Sequence, residues 1–197
     1  MVCIVADYRV KSRHKTSPFE CVQDGKSAVR WIRSHAAQHG IDPDRLAAGG
    51  GSAGGHVAAA TATVPGLNEK GEDLSVSCRP NALVLFNPVY DNGPQGYGFD
   101  RVGKEKRYRE ISPIDNIRKG TPPAIVFLGD KDNLIPVATA QRYQKLMQNV
   151  GSKSVLHIYP GQGHGFFNIR KGGQKIFDQT MVQTDAFLTD LGYLEAK

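Results

Sequence analysis

Two stretches of the chain are apolar at every position, 82–86 (Ala-Leu-Val-Leu-Phe) and 124–128 (Ala-Ile-Val-Phe-Leu), and a third, 155–159 (Val-Leu-His-Ile-Tyr), is nearly so. Runs of this length, closed by Gly, Pro or polar residues, read as strands buried on both faces. A further short apolar run at 2–6 has the same look and is expected to form a strand, as is 45–48, which follows the turn Asp42-Pro43-Asp44.

Between these runs the apolar spacing changes to that of a helix. Val22, Val29, Ile32 and Ala36 share one face of a helix expected over about 19–39, with Gly40 placed to stop it. Small residues over 53–63 predict a helix that can lie close to a sheet, ended by Pro65 and Gly66. Ser112 and Pro113 have the residue types of a helix start, predicting a short helix to Ile117. Ala140, Tyr143, Met147 and Val150 line a later helix, and Phe177, Met181, Thr184, Leu188 and Leu191 line a terminal one. The stretch 91–111, rich in Gly and charge, lacks periodicity and reads as an excursion over the surface. Strands alternating with helices predict the α/β class: a mostly parallel sheet with helices on both faces.

With 197 residues, 40% of them hydrophobic, the chain can build one sizeable core, and a single domain over 1–197 is expected. Its apolar runs fall far short of the roughly 20 residues that span a bilayer, so no membrane span is expected. Cys3, Cys21 and Cys78 are widely spaced and odd in number, predicting buried free thiols rather than disulfides or a zinc site. A formal charge of +6 raises nucleic acid as a partner. The cations are scattered, however, and the one basic cluster, at 101–109, reads as a solvated loop. Neither a nucleic-acid partner nor a metal or organic cofactor is expected.

Candidate chemistry begins at Gly49-Gly50-Gly51-Ser52-Ala53-Gly54-Gly55. Gly50, Ser52 and Gly54 make a Gly-x-Ser-x-Gly pattern, in which small neighbours let a serine occupy a strained turn between strand and helix. Such a turn exposes the hydroxyl and aims the next amide, that of Ala53, at the same point, supplying a nucleophile and one oxyanion donor. The same run also fits a glycine-rich phosphate loop or a plain turn, so its context decides. A serine hydrolase of this architecture needs an acid and then a histidine on later strand-end loops. The run at 124–128 leads into Gly129-Asp130-Lys131-Asp132, and that at 155–159 leads into Gly163-His164-Gly165-Phe166. His164 is the candidate general base, and Asp130 and Asp132 are both candidates to orient it.

Taken together, these residues resemble the α/β-hydrolase superfamily, in particular its esterase and acetylesterase branch related to hormone-sensitive lipase and bacterial carbohydrate esterases. Asp7-Tyr8-Arg9, Asp24 to Trp31, Gly50 to His56, Ser112-Pro113, Gly129-x-x-Asp132 and Gly163 to Phe166 carry the likeness over nearly the whole chain. By resemblance, Ser52 is the nucleophile, His164 the base and Asp132 the orienting acid, with Asp130 a loop cap. His56 then packs in its helix, and His14, His35, His39 and His157 lie outside the chemistry. The implied activity is hydrolysis of short carboxylic esters, including acetyl esters of carbohydrates, with a small-molecule or carbohydrate substrate. The alternatives are a peptidase or dienelactone-type hydrolase of the same fold, or a noncatalytic binding or assembly protein.

The family also has strands ahead of the one ending in Asp-Tyr-Arg, one of which lies between the runs at 2–6 and 45–48 and leads into further oxyanion donors. This sequence starts beyond them. It predicts that the strands at 2–6 and 45–48 pair directly, that another chain fills the space as in a homo-oligomer, or that activity is weakened, since one lost oxyanion donor costs about 100- to 1,000-fold.

Overall fold

The computed structural model describes residues 1–102 and 107–195. Four strands, β1 (Ala47–Gly51), β2 (Ala82–Phe86), β3 (Ala124–Gly129) and β4 (Ser154–Tyr159), form one parallel sheet in the order β1-β2-β3-β4. All three links between neighbouring strands are therefore crossovers, as the alternating pattern requires.

Helices cover both faces. On one, α3 (Ala53–Thr63) and α4 (Val137–Asn149) bury Ala58, Ala59, Tyr143 and Met147 against Leu83, Leu85, Val126 and Leu128. On the other, α5 (Ile169–Asp190) buries Phe187 and Leu188 against Ala82, Ile125 and Phe127. Each Leu, Ile, Val, Met or Phe among them contributes about 1.5–3 kcal/mol when fully removed from water. The all-alanine stretch of α3 lets it approach β1 and β2, and α2 (Pro18–Ser34) packs on the outside of α3. A capping box starts α2, with the Ser17 N–H donating to Glu20 and the Ser17 hydroxyl accepting from the helix.

The expected strand at 2–6 is absent. Residues 1–10 are irregular, 1–7 solvent-exposed with Val5 93% accessible and 8–10 half-buried, and lead into the single turn α1 (Lys11–His14). No ladder joins this segment to β1, so the two do not pair directly. An apolar run without a partner strand satisfies its backbone polar groups in water instead. The strand expected at 45–48 begins two residues later and continues through the glycine triplet, because the ladder to β2 runs from Ala47 opposite Ala82 to Gly51 opposite Phe86.

Smaller departures have local causes. The helix after α2 is a separate turn at Ala37–His39, and Pro113–Asn116 is a 3-10 turn whose Ser112 hydroxyl accepts from Asn92 N–H rather than capping it. Gly173 breaks the helical path inside α5 with φ of 80°. Cys3 is exposed rather than buried, while Cys21 and Cys78 are half-buried, and all three are free thiols. In the basic cluster, Arg107 lies over the Phe19 ring and Arg109 beside Tyr108, while Lys104 and Lys106 lie outside the described residues. Among the described residues no helix is long and apolar enough to cross a membrane.

Candidate active site

The carboxyl ends of all four strands meet at one edge of the sheet, and the candidate residues gather there. Ser52 stands between β1 and α3 with φ 52° and ψ −115°, a left-handed conformation strained for a residue with a side chain. The surrounding backbone holds it: its N–H donates to Phe86 O at 2.9 Å, and its own carbonyl accepts from His56 N–H at 3.0 Å and Val89 N–H at 3.2 Å. Glycine is required at position 50, since a Cβ there would lie 2.6 Å from the Gly54 carbonyl carbon.

The loop after β4 brings His164 over this turn, with Nε2 2.8 Å from Ser52 Oγ. On the other side of the ring, Nδ1 lies 2.8 Å from Asp132 Oδ2. The Asp132 carboxylate is fully buried, and its Oδ1 accepts from the Leu134 and Ile135 N–H groups at 2.8 and 3.0 Å. Three donors thus offset the cost of burying the charge. An ionised carboxylate only accepts, so Nδ1 carries the ring hydrogen and Nε2 presents its lone pair to the serine hydroxyl. Residues 52, 132 and 164, far apart in sequence, form one chain of hydrogen bonds.

Asp130, the other acid considered, is not in that chain. Its exposed carboxylate accepts from Gly161 N–H at 2.7 Å, fastening the β3 loop to the β4 loop. Ala53 is the first residue of α3, and its N–H is among those a helix leaves without an intrahelical acceptor. The dipole of α3 places partial positive charge at this end of the helix, next to Ser52.

The remaining histidines lie elsewhere. His56 is buried in α3, its Nε2–H donating to Ile111 O at 2.9 Å, and burial pushes its pKa down. It ties the elbow helix to the end of the excursion. His157 stacks on Phe127 with its pKa also lowered by burial, His35 stacks on Trp31 with His39 tilted nearby, and His14 accepts from Val10 N–H. A groove of about 830 Å³ between β4 and α5, lined by His157, Tyr159, Lys175 and Asp178, does not include Ser52. Among the described residues, no three His, Cys, Asp or Glu side chains are grouped to hold a metal ion.

Two residues at the site escaped the sequence reading. Asn87, directly after β2, is buried and reaches the His164 loop, its Oδ1 accepting from Gly165 N–H at 3.0 Å and its Nδ2 lying 3.4 Å from His164 Nε2. Phe167 covers Gly51 and packs on Phe86 with ring centroids 5.0 Å apart. The available signal was position alone: Asn87 follows an apolar run at the same sheet edge as the other site residues.

Known proteins resemble this chain in sequence and in fold. The sequence profile of the prolyl oligopeptidase family matches residues 19–189. Esterase LipC of Mycobacterium tuberculosis is 31% identical over 187 residues, covering 84% of this chain and 45% of LipC. The acetylxylan esterase of Xylanibacter ruminicola is 30% identical over 173 residues, covering 82% of this chain and 34% of that enzyme. The chain thus spans less than half the length of these relatives. Among solved structures, esterase 2 of Thermogutta terrifontis in its apo form superposes with a TM-score of 0.91 at 42% identity, covering 97% of this chain and 72% of that one. The same esterase has been solved with propionate and with butyrate bound, and phosphorylated by paraoxon.

Proposed function

The chain belongs to the prolyl oligopeptidase family of α/β-hydrolases, on their esterase branch, and from that premise we propose that it is a serine carboxylesterase acting on short-chain esters. The observation that carries this reading is the pair of 2.8 Å contacts through one imidazole, from Ser52 Oγ to Nε2 and from Nδ1 to Asp132.

In the proposed reaction His164 Nε2 takes the Ser52 proton as Oγ bonds to the ester carbonyl carbon. The carbonyl oxygen becomes an anion that accepts from Ala53 N–H, and Asp132 stabilises the imidazolium. Collapse breaks the bond to the alcohol oxygen, which receives the proton from Nε2, leaving acyl-Ser52. A water molecule then gives a proton to Nε2 and its oxygen to the acyl carbon. Breaking the bond to Oγ releases the carboxylic acid and returns the proton to Ser52.

Short acyl groups are favoured by the propionate and butyrate bound to the Thermogutta relative, and acetyl esters of carbohydrate by the acetylxylan esterase. The family profile, named for a peptidase, keeps amide cleavage as the second reading. Hydrolysis of p-nitrophenyl acetate, butyrate and laurate, of acetylated xylan, and of a prolyl p-nitroanilide, together with labelling by a fluorophosphonate, tests these readings. The expected result is labelling and turnover of acetate and butyrate, both abolished in Ser52→Ala. Turnover of the anilide alone would select the peptidase, and an unlabelled Ser52 would select a noncatalytic binding protein.

A further inference from the structure

Asn87 has a conformation that a purely structural strand end would not require. It is fully buried, yet its backbone takes φ of 33°, in the left-handed region that costs an ordinary side chain about 1–2 kcal/mol and that asparagine tolerates better than most. Its N–H donates to Phe127 O at 2.7 Å, continuing the β2–β3 ladder, while the side chain turns toward the loop after β4. It is one residue beyond Phe86, whose carbonyl holds Ser52, so it spans the two halves of the nucleophile–base pair.

Its amide has a defined orientation. Gly165 N–H needs an acceptor, which assigns Oδ1 to that contact and directs the Nδ2 hydrogens toward His164 Nε2. Two donors, the Ser52 hydroxyl and the Asn87 amide, therefore face one lone pair. Both are accommodated only while Nε2 is unprotonated. Once Nε2 gains a proton, it presents N–H against N–H at Asn87, which favours passing the proton on to the leaving alcohol. The charged groups facing His164 are the Asp132 carboxylate at Nδ1, from the β3 loop, and Lys171 of α5, whose Nζ lies 3.4 Å from the His164 backbone oxygen.

We propose that Asn87 is a positioning residue for this reaction: its Oδ1 fixes the base-bearing loop through Gly165, and its Nδ2–H keeps Nε2 of His164 an acceptor aimed at Ser52. The proposal rests on the esterase reading.

The decisive variant is Asn87→Asp, which keeps the shape and the acceptor for Gly165 but puts a carboxylate oxygen where the donor was. The acidic limb of its kcat/KM against pH is expected to move up by about one unit, because a carboxylate there stabilises the imidazolium. At pH 7, kcat should fall about 10-fold or more with KM within about threefold of the parent, as for a lost transition-state interaction. Asn87→Ala, which removes both contacts without adding charge, provides the second measurement and should lose kcat and slow fluorophosphonate labelling by about 10-fold or more. If both variants fold and retain the parent's pH profile, kcat and labelling rate, the proposal is overturned; the same holds for Asn87→Ala alone if Asn87→Asp does not fold. A parent protein that neither labels nor hydrolyses esters would instead overturn the esterase reading, taking the Asn87 role with it.

Discussion

Gly51 and Phe167 occupy one space: a Cβ on Gly51 would lie 2.3 Å from Phe167 Cζ and 2.9 Å from its Cε1. The aromatic ring fills the volume that a side chain before Ser52 would take, and it is itself held between Phe86 and Phe166. Gly51→Ala should therefore displace Ser52 or the ring, and a misplacement of about 1 Å costs on the order of 100-fold in turnover. Adding Phe167→Ala removes the clash, so the double variant should recover most of that loss. Gly50→Ala should not be rescued, since its Cβ would meet the Gly54 backbone rather than a side chain that can be trimmed. Ester hydrolysis by the parent, Gly51→Ala, Phe167→Ala, the double variant and Gly50→Ala checks the pattern; additive losses at Gly51 and Phe167 would refute it.

The two acids of the β3 loop should separate cleanly. Asp132→Asn leaves the fold in place but removes the acceptor that assigns the His164 tautomer, and losses on the order of 10,000-fold in kcat accompany that change in serine hydrolase triads. Asp130→Asn keeps an oxygen for Gly161 N–H and should leave kcat near the parent's. Comparable losses in both variants would mean that the acid had been misassigned.

The contrast between what sequence pattern carries and what it omits is visible at the four strands. β2, β3 and β4 announce themselves because parallel strands covered on both faces need apolar side chains at every position. β1 was displaced by two residues, since Gly49 to Gly51 offer no side chains to pattern, and only the ladder to β2 reveals them as strand. The run at 2–6 looks the same as β2, but pairing is not encoded in hydrophobicity, and without a neighbour the segment stays irregular. Ser52 stood out by its glycine pattern, and Asp132 and His164 because each lies in the loop after an apolar run. Asn87 follows one too, but its contact lies 78 residues away at Gly165, a distance that local spacing does not encode.

Lys26 is nearly fully buried in α2 with its Nζ donating to Val64 O at 2.7 Å and to Gly66 O, closing the carboxyl end of α3. Burial pushes its pKa down, yet two carbonyls depend on it. Lys26→Met fills the volume and leaves those acceptors unpartnered, so stability should fall by about 2–3 kcal/mol. Urea denaturation measures the loss, and a variant as stable as the parent would show that water or a rearranged turn replaces the cation at no cost.

Acid should weaken the fold through His56. Its pKa is lowered from 6.5 by burial, and its Nε2–H is committed to Ile111 O, so the folded protein holds the ring neutral where the unfolded chain would protonate it. Between 6.5 and the lowered folded value the unfolded state binds more protons, so stability rises with pH across that window. The contribution is complete above 6.5 and is lost progressively as the pH falls below it. His157, less buried and shifted in the same direction, adds to the effect. His56→Gln keeps a donor for Ile111 and cannot titrate, so its melting temperature should decline less between pH 7 and pH 5 than the parent's. Parallel decline in the two proteins would rule out His56 as the source.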